Sequence, residues 1–134
     1  MVIDTSALAA ILFAEPDRDI YIAAIGKPGP KLISAVNAFE AAVVVEARKG
    51  PVAGRELDLL LSQARTDVVP LDGPQMEEAR RIWRTYGKGN HPAALNLCDC
   101  CALALSRLSG HPLLYKGADF THAGAANALN REVS

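Results

Sequence analysis

Four short apolar runs lie far apart in this chain, and helix-length segments fill the gaps between them. The runs are Val2-Ile3-Asp4, Lys31-Leu32-Ile33, Asp67-Val68-Val69-Pro70 and Pro112-Leu113-Leu114-Tyr115. A tight hairpin needs only two to five residues between strands. Gaps this long, filled with helices, instead return the chain to pair its strands in parallel. The reading is therefore an α/β layer fold: a short parallel sheet of four or five strands flanked by helices on both faces. At 134 residues the chain is one domain, 1–134, with no repeat and no low-complexity segment.

Local signals place the helices at 6–14, 16–25, 35–49, 53–65, 74–86 and 95–109. Thr5 or Ser6 is positioned to cap the first, Ser34 the third and Asp72 the fifth, because a side-chain oxygen there accepts an otherwise orphan amide. Pro16 opens the second helix and Gly26 closes it, as Gly50-Pro51 and Gly110 close two others. Residues 87–92 (Gly-Lys-Gly-Asn-His-Pro) read as a flexible polar loop. The Ala-rich tail 123–134 fits either a short helix or a last strand.

No run approaches the ~18 apolar residues of a membrane helix, and no basic leader precedes the first strand. The chain thus reads as a cytosolic protein with no membrane partner. The three cysteines all fall within Cys98-Asp99-Cys100-Cys101, which is not a disulfide framework. Net charge is −1, so nucleic acid is not announced by bulk charge. Masking several carboxylates with a cation would leave a mildly basic remainder, compatible with RNA.

Four acids stand where a carboxylate is hard to explain structurally. Asp4 ends the first strand, at the carboxyl edge where open α/β sheets bind ligands. Glu40 has Val36, Asn37, Val43 and Val44 as its helical neighbours, so it is expected to point from a buried stripe. A buried, unpaired carboxylate needs a cation or a raised pKa. Glu46, by contrast, reads as the partner of Lys49. Asp99 opens the most apolar helix, and Asp119 follows the fourth strand. Each has a simpler reading on its own: a helix cap for Asp4 and Asp99, a turn for Asp119. As a set they form one pattern, suited to a hard cation such as Mg²⁺ or Mn²⁺.

These residues resemble those of PIN-domain ribonucleases, specifically the VapC toxins of bacterial toxin–antitoxin pairs. The similar segments are MVIDTSALAAIL (1–12), SAVNAFEA (34–41), EAR (46–48), GKGNHPAALNLCD (87–99) and PLLYKGADF (112–120). The resemblance implies a PIN-like fold with Asp4, Glu40, Asp99 and Asp119 as its acidic catalytic and metal-binding quartet. Asp4 and Asp99 would be the most regular direct ligands, and Thr5 or Ser6 a supporting hydroxyl. It implies Mg²⁺-dependent hydrolysis of RNA (tRNA, rRNA or mRNA), with Mn²⁺ as a substitute, leaving a 3′-hydroxyl and a 5′-phosphate. It further implies a VapB-type antitoxin partner and a homodimer, for which helices 53–65 and 74–86 are interface candidates. One departure is Cys98, where similar toxins usually carry Gly; its side chain is expected to crowd Asp99.

Lys88, His91 and Lys116 lie in loops flanking Asp99 and Asp119 and are candidate phosphate contacts. Solvated loop charge explains them equally well. His111 and His122 read as surface residues, so no pair of catalytic histidines is evident. Two other functions compete. One is a catalytically impaired PIN-like binding module, suggested by Cys98. The other is a zinc or redox module using Cys98 and Cys101, which form a lone C-x-x-C without a second cysteine pair.

Overall fold

The computed structural model describes residues 1–130. A four-stranded sheet is built from β1 (Val2–Ile3), β2 (Leu32–Ser34), β3 (Asp67–Val69) and β4 (Leu113–Leu114), in the order β3-β2-β1-β4. Every pairing is parallel, with Val2 opposite both Leu32 and Leu113. The chain thus steps outward from β1 through β2 to β3, then returns to place β4 on the far side of β1. The reversal falls between β1 and β4. In open parallel sheets this switch point, at the carboxyl ends of the strands, is where a crevice opens.

Among the described residues seven helices flank the sheet: α1 (Thr5–Leu12), α2 (Arg18–Gly26), α3 (Ala35–Lys49), α4 (Pro51–Gln63), α5 (Gly73–Tyr86), α6 (Leu97–Ser109) and α7 (Asp119–His122). The two-residue period of the strands divides the core. Ile3, Ile33 and Leu114 pack on one face with Ala7, Leu8, Ala41, Val45 and Leu57 from α1, α3 and α4. Val2 and Leu113 turn to the other face, against Ile82 of α5 and Ala102, Leu103 and Leu105 of α6. The result is the expected three-layer arrangement.

The expected caps are present at Ser34, which accepts from the Val36 amide, and at Asp72, which accepts from Gln75. The first helix is capped differently. Its N-cap is Asp4, which accepts from the Ser6 amide, while Thr5 already lies inside the helix. No fifth strand forms among the described residues. The tail gives a single parallel bridge, Leu113 to Asn127, and one turn of 3₁₀ helix over Ala128–Asn130; residues 131–134 of the tail lie outside the described part. The 87–92 segment is more tied down than a flexible loop: Lys88 N–H donates to the Leu95 carbonyl and Leu95 N–H to Tyr86. Asn90 Nδ2 also donates to the Trp83 carbonyl, and His91 Nδ1 accepts from Ala93. The expected Glu46–Lys49 pair is not formed. Lys49 Nζ donates to the Leu12 carbonyl and sits over the Phe13 ring. No helix among the described residues is long and apolar enough to cross a membrane.

Candidate active site

Asp4 stands at the switch point. Its backbone N–H donates to the Leu114 carbonyl at 2.9 Å, extending the β1–β4 ladder by one rung. The side chain therefore emerges at the carboxyl edge between these strands, and it is only 3% exposed. Oδ2 accepts from the Ser6 amide at 2.9 Å and from Ser6 Oγ at 2.6 Å. Oδ1 is buried and has no protein partner. Burial pushes the carboxyl pKa up to about 6, against the Ser6 hydrogen bonds, and the charges of Asp99 and Glu40 push the same way.

The other three acids reach this point from separate elements. Glu40 lies in the second turn of α3. It does not emerge from a buried stripe, because the buried positions of α3 are Asn37, Ala41 and Val45, while Val43 and Val44 are exposed. Glu40 is half-buried at the edge of that stripe. The apolar neighbours marked a side of the helix that partly faces solvent, a distinction that periodicity does not make. Thr5 Oγ1 holds Glu40 Oε1 at 2.6 Å and also approaches the Asn37 carbonyl at 3.2 Å.

Asp99 is half-buried in the first turn of α6. It is the third residue of a capping box rather than the cap itself. Asn96 Oδ1 accepts from the Asp99 amide at 2.8 Å, and Asp99 Oδ2 accepts from the Asn96 amide at 3.0 Å. Its carboxyl pKa is raised, first by burial and then by the charges of Glu40 and Asp119, against the Asn96 bond. Asp119 is exposed at the start of the one-turn helix α7, not in an irregular loop.

The fold thus brings Asp4, Glu40 and Asp99 within electrostatic reach of one another, with Asp119 in reach of Asp99. They are not a preformed chelate: among the described residues no three His, Cys, Asp or Glu side chains converge to metal-binding distance. Each of the three better-held acids is drawn to a local partner, Asp4 to Ser6, Glu40 to Thr5 and Asp99 to Asn96. Such separation is what like charges favour without a cation. The donor set is all carboxylate oxygen, which fits Mg²⁺ or Mn²⁺. The unpartnered Asp4 Oδ1 is the buried acceptor that such an ion would satisfy.

Cys98 projects beside this cluster. Burial, the Glu40 charge and a hydrogen bond from the thiol to Glu40 push its pKa up to about 12. The thiol is coupled more strongly to Glu40 than to Asp99, and the Asp99 carboxylate turns to Asn96. Cys100 and Cys101 are buried, and all three cysteines are free. They behave as small core side chains, and no His/Cys cluster forms among the described residues.

The three candidate phosphate contacts diverge. Lys88 is exposed. His91 is half-buried and packs edge-on against Tyr86 at 5.0 Å. Lys116 is already engaged, with Nζ 2.7 Å from Glu15 and 2.9 Å from Asp17. The spacing of residues did not foresee this pair, because about 100 residues separate Lys116 from both acids. Sequence reasoning also passed over Asn37, fully buried and polar at the back of the site. Its position three residues before Glu40 was the available signal.

The PIN domain pattern matches residues 1–126. The chain is 48% identical over 126 residues to Ribonuclease VapC30 of Mycobacterium tuberculosis, covering 94% of this chain and 96% of that protein. Among solved structures, Mycobacterium tuberculosis VapC20, described as a Sarcin-Ricin loop cleaving toxin, superposes with a TM-score of 0.76. The identity is 19%, over 92% of this chain and 95% of the other. A toxin–antitoxin complex from Klebsiella pneumoniae gives a TM-score of 0.66 at 21% identity, over 89% of this chain and 88% of that chain. The match across the domain, joined to the identity with VapC30, shows that this chain belongs to the PIN-domain family, among the VapC ribonucleases.

Proposed function

We propose that this ribonuclease is the toxin of a toxin–antitoxin pair and hydrolyses RNA at the Asp4–Glu40–Asp99–Asp119 cluster with a divalent cation, Mg²⁺ or Mn²⁺. The observation that carries this reading is Asp4: a carboxylate buried at the sheet's switch point, facing two further acids, with one oxygen unpartnered. Burying such a charge costs several kcal/mol unless it is compensated. A cation supplies that compensation.

Asp4 and Asp99 would hold the ion directly, and Glu40 and Asp119 would complete the set. When bound, it lowers the pKa of water and neutralises charge on the phosphate. The chain's own residues orient and restrain. Ser6 keeps Asp4 Oδ2 fixed and ionisable, so Oδ1 is the oxygen left to bind. Thr5 fixes Glu40. Hydrolysis by water in this arrangement does not require the RNA's 2′-hydroxyl. Lys88 and His91 supply candidate phosphate contacts, and Lys116 does so only by leaving Glu15 and Asp17. Contacts of this kind position the strand without reading its sequence.

The partners in this reading are a VapB-type antitoxin and a second copy of the chain. The apolar face shared by α3, α5 and α6 supports an interface. Met76, Trp83 and Leu97 are 43%, 50% and 77% exposed, and with Val36 of α3 they line a groove of about 310 Å³. An exposed cluster of this kind marks a protein contact. Of the two helices expected to pair, α5 presents this surface, while α4 buries Ala53, Gly54 and Leu57 against the domain.

Cleavage of total tRNA and rRNA by antitoxin-free protein tests the reading, with and without Mg²⁺ or Mn²⁺, beside Asp4→Asn and Asp99→Asn. Discrete fragments that need metal and vanish in both variants are expected. Equal cutting by wild type and variants would mark a contaminating nuclease. No cutting by folded protein would favour a binding module that has lost catalysis.

A further inference from the structure

Asn37 is the only fully buried polar side chain on α3, and it lies one turn before Glu40. Its Nδ2 donates to the Cys98 carbonyl at 3.1 Å, a contact between residues 61 apart in sequence. Cys98 immediately precedes Asp99. The same asparagine's backbone carbonyl lies 3.2 Å from Thr5 Oγ1, the hydroxyl that holds Glu40. One residue therefore touches all three segments that carry Asp4, Glu40 and Asp99.

The bond is not needed to complete the helix. Cys98 is inside the first turn of α6, where its carbonyl already has an amide partner four residues on. Nor does the side chain satisfy itself: Asn37 Oδ1 is buried without a protein partner. An apolar residue of similar size would avoid that cost, since an orphaned buried acceptor is unfavourable by ~1–3 kcal/mol. A polar residue retained where leucine would pack more favourably points to a geometric task.

We propose that Asn37 is a positioning residue for metal binding: it ties the first turn of α6 to α3 and so sets the spacing of Asp99 from Glu40. This rests on the metal-dependent reading of the site given above. Asn37 touches neither ion nor RNA. It acts by limiting how far two like-charged carboxylates, on separate helices, can separate before an ion arrives. Residues that orient ligands in this way change metal affinity by about 10–100-fold when replaced.

The test uses Asn37→Leu and Asn37→Asp in the antitoxin-free chain. Leucine fills the space but donates nothing. Aspartate keeps the shape but presents an acceptor to the Cys98 carbonyl. Mn²⁺ binding is measured by electron paramagnetic resonance of the free ion, and folding by urea denaturation without metal. Asn37→Leu is expected to be as stable as wild type or more so, yet to bind Mn²⁺ at least tenfold more weakly. Cleavage at saturating Mn²⁺ should return to within a few-fold of wild type, because the ligands themselves are intact. A purely structural role predicts the opposite: lost stability with unchanged affinity in the folded fraction. Mn²⁺ affinity within twofold of wild type in a folded Asn37→Leu or Asn37→Asp protein overturns the proposal. Failure of the wild-type chain to bind Mn²⁺ or cut RNA overturns the metal reading itself, and is seen before any variant is made.

Discussion

Ser6 Oγ lies 2.6 Å from Asp4 Oδ2 and donates its only proton to that carboxylate. The same oxygen accepts the Lys116 backbone N–H at 2.9 Å. One hydroxyl therefore joins the end of β1 to the segment after β4 and favours the ionised form of Asp4, against burial. Ser6→Ala removes that bond and leaves the Ser6 amide contact in place. The Asp4 pKa should then rise above its present value of about 6. A hydrogen bond to a charged carboxylate is worth ~1.5–3 kcal/mol, or roughly one to two pH units. The pH midpoint of Mn²⁺ binding should shift upward by that amount. An unmoved midpoint would mean that Ser6 serves only the backbone link to Lys116.

Asp4→Asn separates the roles of cap and ligand. Asparagine caps helices as well as aspartate, so the Ser6 contacts can survive. In wild type the carboxyl pKa is raised from 3.8 to about 6. The protonated form is therefore the one the fold favours. Its contribution is fully present below about pH 4 and is lost as pH rises through about 6. Without metal, Asn should be close to neutral for stability at pH 4. It should be stabilising at pH 7.5 by up to about 3 kcal/mol, the value of a two-unit shift. Urea denaturation in chelator at both pH values measures this. Equal destabilisation at both would identify Asp4 as a cap alone.

Cys98→Gly should cost stability without improving the site. Glycine in a helix is worse than ordinary residues by up to about 1 kcal/mol, so the unfolding midpoint should fall by a few degrees. Glu40 loses the thiol but keeps Thr5 at 2.6 Å, and Asp99 keeps Asn96. The Mn²⁺ affinity should change by no more than about two- to threefold, the value of one weak hydrogen bond. A tenfold gain would show that the side chain crowds Asp99.

How much of this was legible differs by element. The sheet follows from strand spacing, because crossover length alone dictates parallel pairing, and α3 begins and ends where Ser34 and Gly50 place its boundaries. The four acids stood out in the sequence as a set, although the structure places them differently: Asp4 at the end of β1, Glu40 inside α3, Asp99 in the first turn of α6 and Asp119 at the start of α7. Their roles as local partners were not legible. Asp4 displaced Thr5 as the N-cap because its carboxylate accepts from the Ser6 amide and so starts the helix one residue earlier. Asp99 became part of a capping box because the helix starts at Leu97, not Leu95. Glu40 was misread because helical periodicity finds an apolar side but cannot tell a core from an open face. Asn37 and the Lys116 pairs depend on contacts between distant segments, and no local pattern encodes them.

Lys116 provides the last test, because its present partners compete with any phosphate. Its ammonium is shared by Glu15 and Asp17, both about one-third exposed. If it also binds RNA, each RNA-bound complex must first break those pairs. Glu15→Gln with Asp17→Asn should then raise RNA affinity and steepen its salt dependence by about one counterion. Removing two negative charges would by itself favour RNA through long-range attraction, so the comparison needs the same pair of changes in a Lys116→Ala background. A Lys116 that contacts phosphate gives a gain in affinity and salt slope that Lys116→Ala abolishes. A Lys116 that only ties α2 to the segment after β4 gives the same modest gain in both backgrounds. In that case the remaining lysine candidate is Lys88 of the 87–92 segment, which is exposed.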